Sequence, residues 1–222
     1  MDFIFMLTRG DQTVQDCLQV LDDIAPVGLA HIGFKDVGVD IDTLRALNGR
    51  IRQRGATSYM EVVSTSREAC LGSARAAVAI GVDRLLGGTD VDAVLEVLAG
   101  TGIGYYPFPG IPRGHPTELG GTPEDVAAHC REFMTKGCAG ADLLAYRATE
   151  ADPLELVRAA RGALGDGQLV VAGSVDSADK IAALSAAGAD AFTIGSAVFD
   201  GSYSPRKGAI RSRLQDVLAT LD

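Results

Sequence analysis

The sequence predicts a closed barrel of eight parallel strands, each followed by a helix: a (β/α)8 or TIM barrel. Three observations carry that prediction. Short apolar runs alternate with amphipathic stretches, at intervals of about 20 to 35 residues. Eight such apolar runs can be counted along the chain. The connection after the first run reads LTRGDQT, with a single glycine, where an open doubly wound sheet would carry a Gly-rich dinucleotide turn. Parallel strands need crossover segments, and eight strand–helix units in succession favour closure of the sheet on itself.

The chain has 222 residues, which suits one large domain over residues 1–222 better than two small ones. Hydrophobic residues make up 47% and charged residues 22%, an ordinary globular composition. The formal charge is −9, and no Lys/Arg cluster offers a face for nucleic acid. No apolar stretch reaches the roughly 18 residues of a membrane span. The opening MDFIFMLTRGD lacks a basic leader and reads as a strand, so a cytoplasmic protein is expected.

The elements follow in order. Strand one is expected at 2–7 (DFIFML), and the stretch TVQDCLQVLDDI then sets Val14, Cys17, Leu18 and Leu21 on one helical face. Strand two is expected at 29–34 (LAHIGF), followed by a helix carrying Leu44, Leu47 and Ile51 and stopping near Gly55. Strand three, at 58–63 (SYMEVV), precedes an Ala-rich helix, and strand four, at 83–88 (DRLLGG), precedes DVDAVLEVLAG. Strand five, at 103–108 (IGYYPF), runs into the longest connection, PFPGIPRGHPTELGG. Thr122-Pro123-Glu124-Asp125 then opens a helix with a cap, a proline at the first helical position and acids in the first turn. Strands six, seven and eight are expected at 142–147 (DLLAYR), 169–174 (LVVAGS) and 191–196 (AFTIGS), separated and followed by helices. Cys17, Cys70, Cys130 and Cys138 form no CxxC pair and read as free, partly buried thiols, and neither a metal nor a cofactor site is expected.

In this fold the residues at the C-terminal ends of the strands line the active site. Strands seven and eight end in the same pair, Gly173-Ser174 and Gly195-Ser196. Glycine allows close backbone approach, and free N–H groups at a helix start attract anions. One Gly-Ser pair would be an ordinary tight turn. Two of them, after strands seven and eight, predict a cradle for one phosphate.

At these residues the chain resembles the ribulose-phosphate-binding barrel superfamily, which includes isomerases of histidine and tryptophan synthesis, sugar-phosphate epimerases and related lyases. VVAGSVDS is similar to their GGI turn, and ALSAAGADAFTIGSAVF to their GAD…VGSAI ending. The resemblance is close over about the last quarter of the chain. It implies phosphate contacts from the backbone of Gly173, Ser174, Gly195 and Ser196. Ser174 stands where these enzymes usually carry a second glycine. The histidine and aspartate pairs of a metal-dependent epimerase are missing. The aspartates expected of the isomerases at strands one and five are replaced by Leu7-Thr8 and Pro107-Phe108.

The remaining strand ends supply the candidates for chemistry. Lys35 and Asp36 sit at the mouth of strand two, and Glu61 lies in the apolar third strand. Apolar walls would lower the pKa of Lys35 and make it a base or an imine-forming nucleophile, whereas Glu61 beside it would hold it charged. A lysine–carboxylate pair can move a proton next to a carbonyl. It can also be a structural ion pair plugging the barrel, Lys35 with Glu61 or Asp36. Arg147 and Arg9 are candidates to bind a carboxylate, a second phosphate or an oxyanion, or to make salt bridges with neighbouring strand ends. His115, in the longest connection, is either an acid/base on a lid or a solvated surface group. His31 and His129 read as structural.

The expected function is an enzyme that isomerises or epimerises a small phosphorylated sugar or sugar-like metabolite. One alternative is an aldolase or lyase forming an imine on Lys35. Another is a non-catalytic sensor of a phosphorylated metabolite, which a Lys35–Glu61 pair locked away from the mouth would favour. The expected partner is the phosphorylated substrate, with no nucleic acid or membrane. The Ala-rich segment 66–80 is a candidate homodimer face.

Overall fold

The computed structural model describes residues 1–62 and 66–221. Val63, the last residue of the expected third strand, lies outside them. Eight strands form one parallel sheet: β1 (Asp2–Met6), β2 (His31–Lys35), β3 (Thr57–Glu61), β4 (Arg84–Leu86), β5 (Gly104–Tyr106), β6 (Gly140–Leu143), β7 (Gln168–Val171) and β8 (Ala191–Ile194). Their order is β6-β7-β8-β1-β2-β3-β4-β5. Backbone hydrogen bonds join the two ends of that row: Ala139 N–H donates to the Tyr105 carbonyl (2.9 Å) and Asp142 N–H to the Pro107 carbonyl (3.0 Å). The sheet therefore closes, and the architecture is a (β/α)8 TIM barrel.

The helices are α1 (Cys17–Asp23), α2 (Ile41–Gln53), α3 (Arg67–Ile80), α4 (Val91–Leu98), α5 (Pro123–Lys136), α6 (Pro153–Leu164), α7 (Ala178–Ala187), the short α8 (Ser196–Phe199) and α9 (Ile210–Leu218). Side chains cap the N-termini of the longer ones. The Thr122 hydroxyl accepts from Asp125 N–H while the Asp125 carboxylate accepts from Thr122 N–H, a reciprocal box at the start of α5. Asp40, Asp152 and Ser177 cap α2, α6 and α7. The buried face of α2 is Leu44, Leu47 and Ile51, each worth about 1.5–3 kcal/mol on removal from water. These faces pack on the outside of the sheet and form the main core. All four cysteines are buried. Among the described residues no helix is long and apolar enough to cross a membrane.

A second, smaller cluster fills the barrel interior: Ile4, Met6, Tyr59, Leu86, Tyr106 and Val170. Strand alternation puts every second residue there. On β2 it points His31, Gly33 and Lys35 inward and Ile32 and Phe34 outward. Two departures from the expected elements bear on the site. Strand six begins two residues earlier than expected, and Ala145–Arg147 is a 3-10 turn. Asp142 thus sits near the end of its strand. The other departure is that two hairpins rise at the C-terminal mouth, Thr8–Arg9 with Gln12–Thr13 and Ile111–Arg113 with Glu118–Gly120.

Candidate active site

A cavity of about 270 Å³ opens at the C-terminal mouth of the barrel. Lys35 and Glu61 line it at the deep end, and Gly173, Ser174, Gly195 and Ser196 line its rim. Lys35 and Glu61 are register partners on adjacent strands and point the same way. Lys35 Nζ lies 3.5 Å from Glu61 Oε2 and 2.7 Å from Asp11 Oδ1. Burial pushes the Lys35 ammonium down, but Glu61 and Asp11 together outweigh it and its pKa ends above the ordinary lysine value. Lys35 is therefore a charged group, 6% exposed, and not a free amine.

Asp11 reaches this cluster from a hairpin turn. Gly10 and Asp11 both have positive φ (57° and 59°), the signature of a tight two-residue turn joining Thr8–Arg9 to Gln12–Thr13. The Thr13 hydroxyl ties the hairpin to β2, accepting from Lys35 N–H (2.8 Å) and donating to the Lys35 carbonyl (2.7 Å). Burial raises the Asp11 carboxyl, yet Lys35 and then Arg147 and His115 hold it below its ordinary value.

Arg147 links the deep cluster to the rim. One guanidinium nitrogen lies 3.7 Å from Asp11 Oδ1, and another donates to the Thr117 carbonyl (3.4 Å). Its Nε packs against Gly173, where a Cβ would come within 2.5 Å. Gly173 (φ 77°) and Ser174 (φ 58°) are both left-handed, which is unusual for serine. Lys180 holds this turn by donating to the Ser174 carbonyl (2.8 Å) and to Asp176 (3.0 Å), while its ammonium stands over the Tyr146 ring (4.9 Å). Gly10 N–H donates to the Ser196 hydroxyl (3.3 Å), so the Asp11 hairpin also braces the second turn. Among the described residues, the N–H groups of Gly173, Ser174, Ser196 and Ala197 have no protein acceptor. They are donors left over for an anion.

Asp142 lies inside the barrel, wholly buried, and among the described residues neither carboxyl oxygen has a hydrogen-bond partner. Burial, and next the charge of Glu61, push its pKa well above the ordinary value, only partly offset by Lys35 and Arg147. It is held as the neutral acid.

Three of the other sequence candidates fall in different places. His115 is exposed but forms the outer wall of a small recess shared with Asp11, Lys35, Glu61 and Arg147. Asp36 does not line the cavity, and the Ser73 hydroxyl of α3 donates to it. Arg9 is exposed on the hairpin and also lies outside the cavity wall. Sequence reading missed Asp11, Asp142, Thr8 and Thr193. The Gly-Asp pair between Thr8-Arg9 and Gln12-Thr13 was an available hairpin signal. Among the described residues no three His, Cys, Asp or Glu side chains come together as a metal-binding group.

No family model matches the chain, and no curated protein sequence matches it significantly. Solved structures do match over its whole length. A native KDPGal structure has a TM-score of 0.69 at 12% identity, with 100% of this chain and 96% of that one covered. Thiamine phosphate pyrophosphorylase from Pyrococcus furiosus has a TM-score of 0.64 at 14% identity, covering 100% and 97%. A BexX/CysO complex from Amycolatopsis orientalis contains a chain with a TM-score of 0.61 at 20% identity, covering 100% and 90%. The likeness is one of fold, a TIM barrel shared with distant enzymes, and it assigns no family.

Proposed function

We propose that the protein, as a single unit over residues 1–222, is an enzyme acting on a small phosphorylated sugar or sugar-like metabolite. The proposed reaction is isomerisation or epimerisation by proton transfer next to a carbonyl. One observation carries this reading: unpaired backbone donors at both Gly-Ser turns and a buried lysine–carboxylate cluster line one cavity. The phosphate would sit on the N–H groups of Gly173, Ser174, Ser196 and Ala197 and orient the rest of the molecule inward. Asp176 and Asp200 also lie at the rim. Asp176 is engaged by Lys180, and Asp200 accepts from Ser202 N–H (2.8 Å).

At the deep end a substrate carbonyl would meet the Lys35 ammonium. A carboxylate, Glu61 or Asp11, takes the proton from the carbon beside that carbonyl. The C–H electron pair moves toward the carbonyl oxygen and gives an enediolate, whose charge Lys35 and Arg147 offset. Return of the proton to the former carbonyl carbon, with the hydroxyl proton passing from the adjacent oxygen to the former carbonyl oxygen, completes an isomerisation, and return to the opposite face of the original carbon an epimerisation. His115 lines the adjoining recess and would serve the return step. One of the barrels with a matching fold carries a phosphorylated metabolite in its name, a thiamine phosphate pyrophosphorylase.

The imine alternative needs a neutral amine at residue 35, and two carboxylates oppose it. The sensor alternative draws no support from Lys35 and Glu61, which line the mouth cavity. The test is solvent exchange. Sugar phosphates that raise the melting temperature are incubated with the protein in deuterated water and followed by NMR. Deuterium should enter beside the carbonyl, and either Glu61→Gln or Asp11→Asn, whichever removes the base, should slow entry at least about 100-fold while binding persists. A ligand that stabilises the fold yet never exchanges that hydrogen would reject the proton-transfer reading.

A further inference from the structure

The charge balance of the deep end says which phosphorylated compounds fit. Two cations face the deep end, Lys35 and Arg147. Both are already matched. Lys35 is bracketed by Asp11 and Glu61, and Arg147 also leans on Asp11. A third carboxyl, Asp142, lies buried beside them with no hydrogen-bond partner among the described residues. Among the described residues lining the cavity, no positive charge is left over for a second anionic group. A carboxylate entering here would be one more negative charge beside Asp11 and Glu61, at a largely buried end of the cavity.

Size and wall chemistry agree. At about 270 Å³ the cavity falls just below the roughly 300–1,000 Å³ of common ligand pockets. No aromatic side chain lines it, so no ring face is offered for stacking a heterocycle. The wall instead presents Thr8, Thr193 and Ser202, which suit hydroxyl groups.

We propose that the site takes a small phosphorylated hydroxy-aldehyde or hydroxy-ketone, uncharged at the end away from its phosphate, and excludes the matching phosphorylated carboxylic acid. This inference rests on the phosphate cradle proposed above. The experiment keeps the two apart. Calorimetric titration at pH 7.5 compares inorganic phosphate with matched pairs: dihydroxyacetone phosphate against phosphoglycerate, erythrose phosphate against phosphoerythronate, ribulose phosphate against phosphoribonate. In at least one pair the carbonyl compound should bind about tenfold or more tighter than its acid. Asp11→Asn, which removes one negative charge, should narrow that ratio several-fold, and Glu61→Gln offers the same readout where Asp11→Asn folds poorly. An acid that binds as tightly as its carbonyl partner overturns the inference and leaves the cradle standing. Phosphate binding with no response to any pair does the same. No binding of phosphate or of any phosphorylated compound removes both.

Discussion

The two ends of this barrel are both polar, but they are polar in different ways. At the N-terminal floor the polar groups are matched to one another. The Tyr59 hydroxyl is hydrogen bonded to His31 Nδ1 (3.1 Å), His31 Nε2 lies 3.6 Å from Asp2, and the Tyr106 hydroxyl donates to Gln168 (3.0 Å). Burial pushes the Tyr59 phenol up to about 12, so it stays a neutral donor. At the mouth, three carboxyls crowd two cations, and one carboxyl has no hydrogen-bond partner among the described residues. Satisfied neutral pairs contribute modestly to stability, whereas buried charges with incomplete partners cost stability and are retained for another reason. The floor reads as architecture, and the mouth is where the chemistry is proposed.

The strongest test of this contrast removes the central cation. Lys35→Met leaves the buried Glu61 without its counter-ion and the half-buried Asp11 with Arg147 alone. Breaking such a cluster should cost about 3–5 kcal/mol at pH 7.5, read by urea denaturation. The deficit should shrink at pH 5, because Asp11, which burial raises but Lys35 holds below its ordinary value, takes up a proton more readily once that cation is gone. In the native protein Lys35 itself has a raised pKa, so its stabilisation is complete below the ordinary lysine value and lost only as pH rises through the folded one. A deficit below about 1 kcal/mol, or one indifferent to pH, would show that the cluster is not electrostatically coupled.

Asp142 sharpens the contrast with a smaller effect of opposite sign. Its folded pKa is raised, so above the ordinary aspartate value the unfolded chain binds fewer protons than the folded one. Stability then falls as pH rises, until the folded pKa is passed. Asp142→Asn removes that slope. The variant should match the wild type near pH 4 and gain on it by up to about 1.4 kcal/mol per pH unit above that. A constant difference between pH 4 and 8 would mean that Asp142 titrates normally.

The sequence made the barrel visible because a period of alternating apolar runs and amphipathic helices survives local irregularity. The Gly-Ser pairs and the Lys35–Glu61 pair were visible for a related reason. Charged or small residues stand out at the ends of apolar strands. Asp36 could have been set aside on the same logic. It follows Lys35, and alternation sends it away from the cavity, toward Ser73 of α3. Asp142 was harder. Ala139-Gly140-Ala141 has little strand propensity, so the strand was expected to begin where it nearly ends. Pairing of Gly140 with Gln168 and Ala141 with Leu169 is what places Asp142 deep in the barrel. Asp11 depends on the path of a hairpin folded over the mouth, a tertiary fact that a local turn signal does not contain.

The smallest expected effect belongs to the floor, and it is the control for everything said of the mouth. Tyr59→Phe deletes one hydroxyl and leaves the ring packed against Ile4, Met6 and Leu86 in the barrel interior. It should cost about 1 kcal/mol, the worth of one ordinary hydrogen bond plus some penalty for the bereft His31 nitrogen. Because the mouth lies at the other end of the strands, phosphate affinity and deuterium exchange should stay within about twofold of wild type. His31 is 22% exposed at its side chain and can recover a water partner, which keeps the penalty at the low end. A Tyr59→Phe variant that lost ligand binding without losing stability would mean that floor and mouth are coupled through the interior layer, and the division of labour between the two ends would have to be given up.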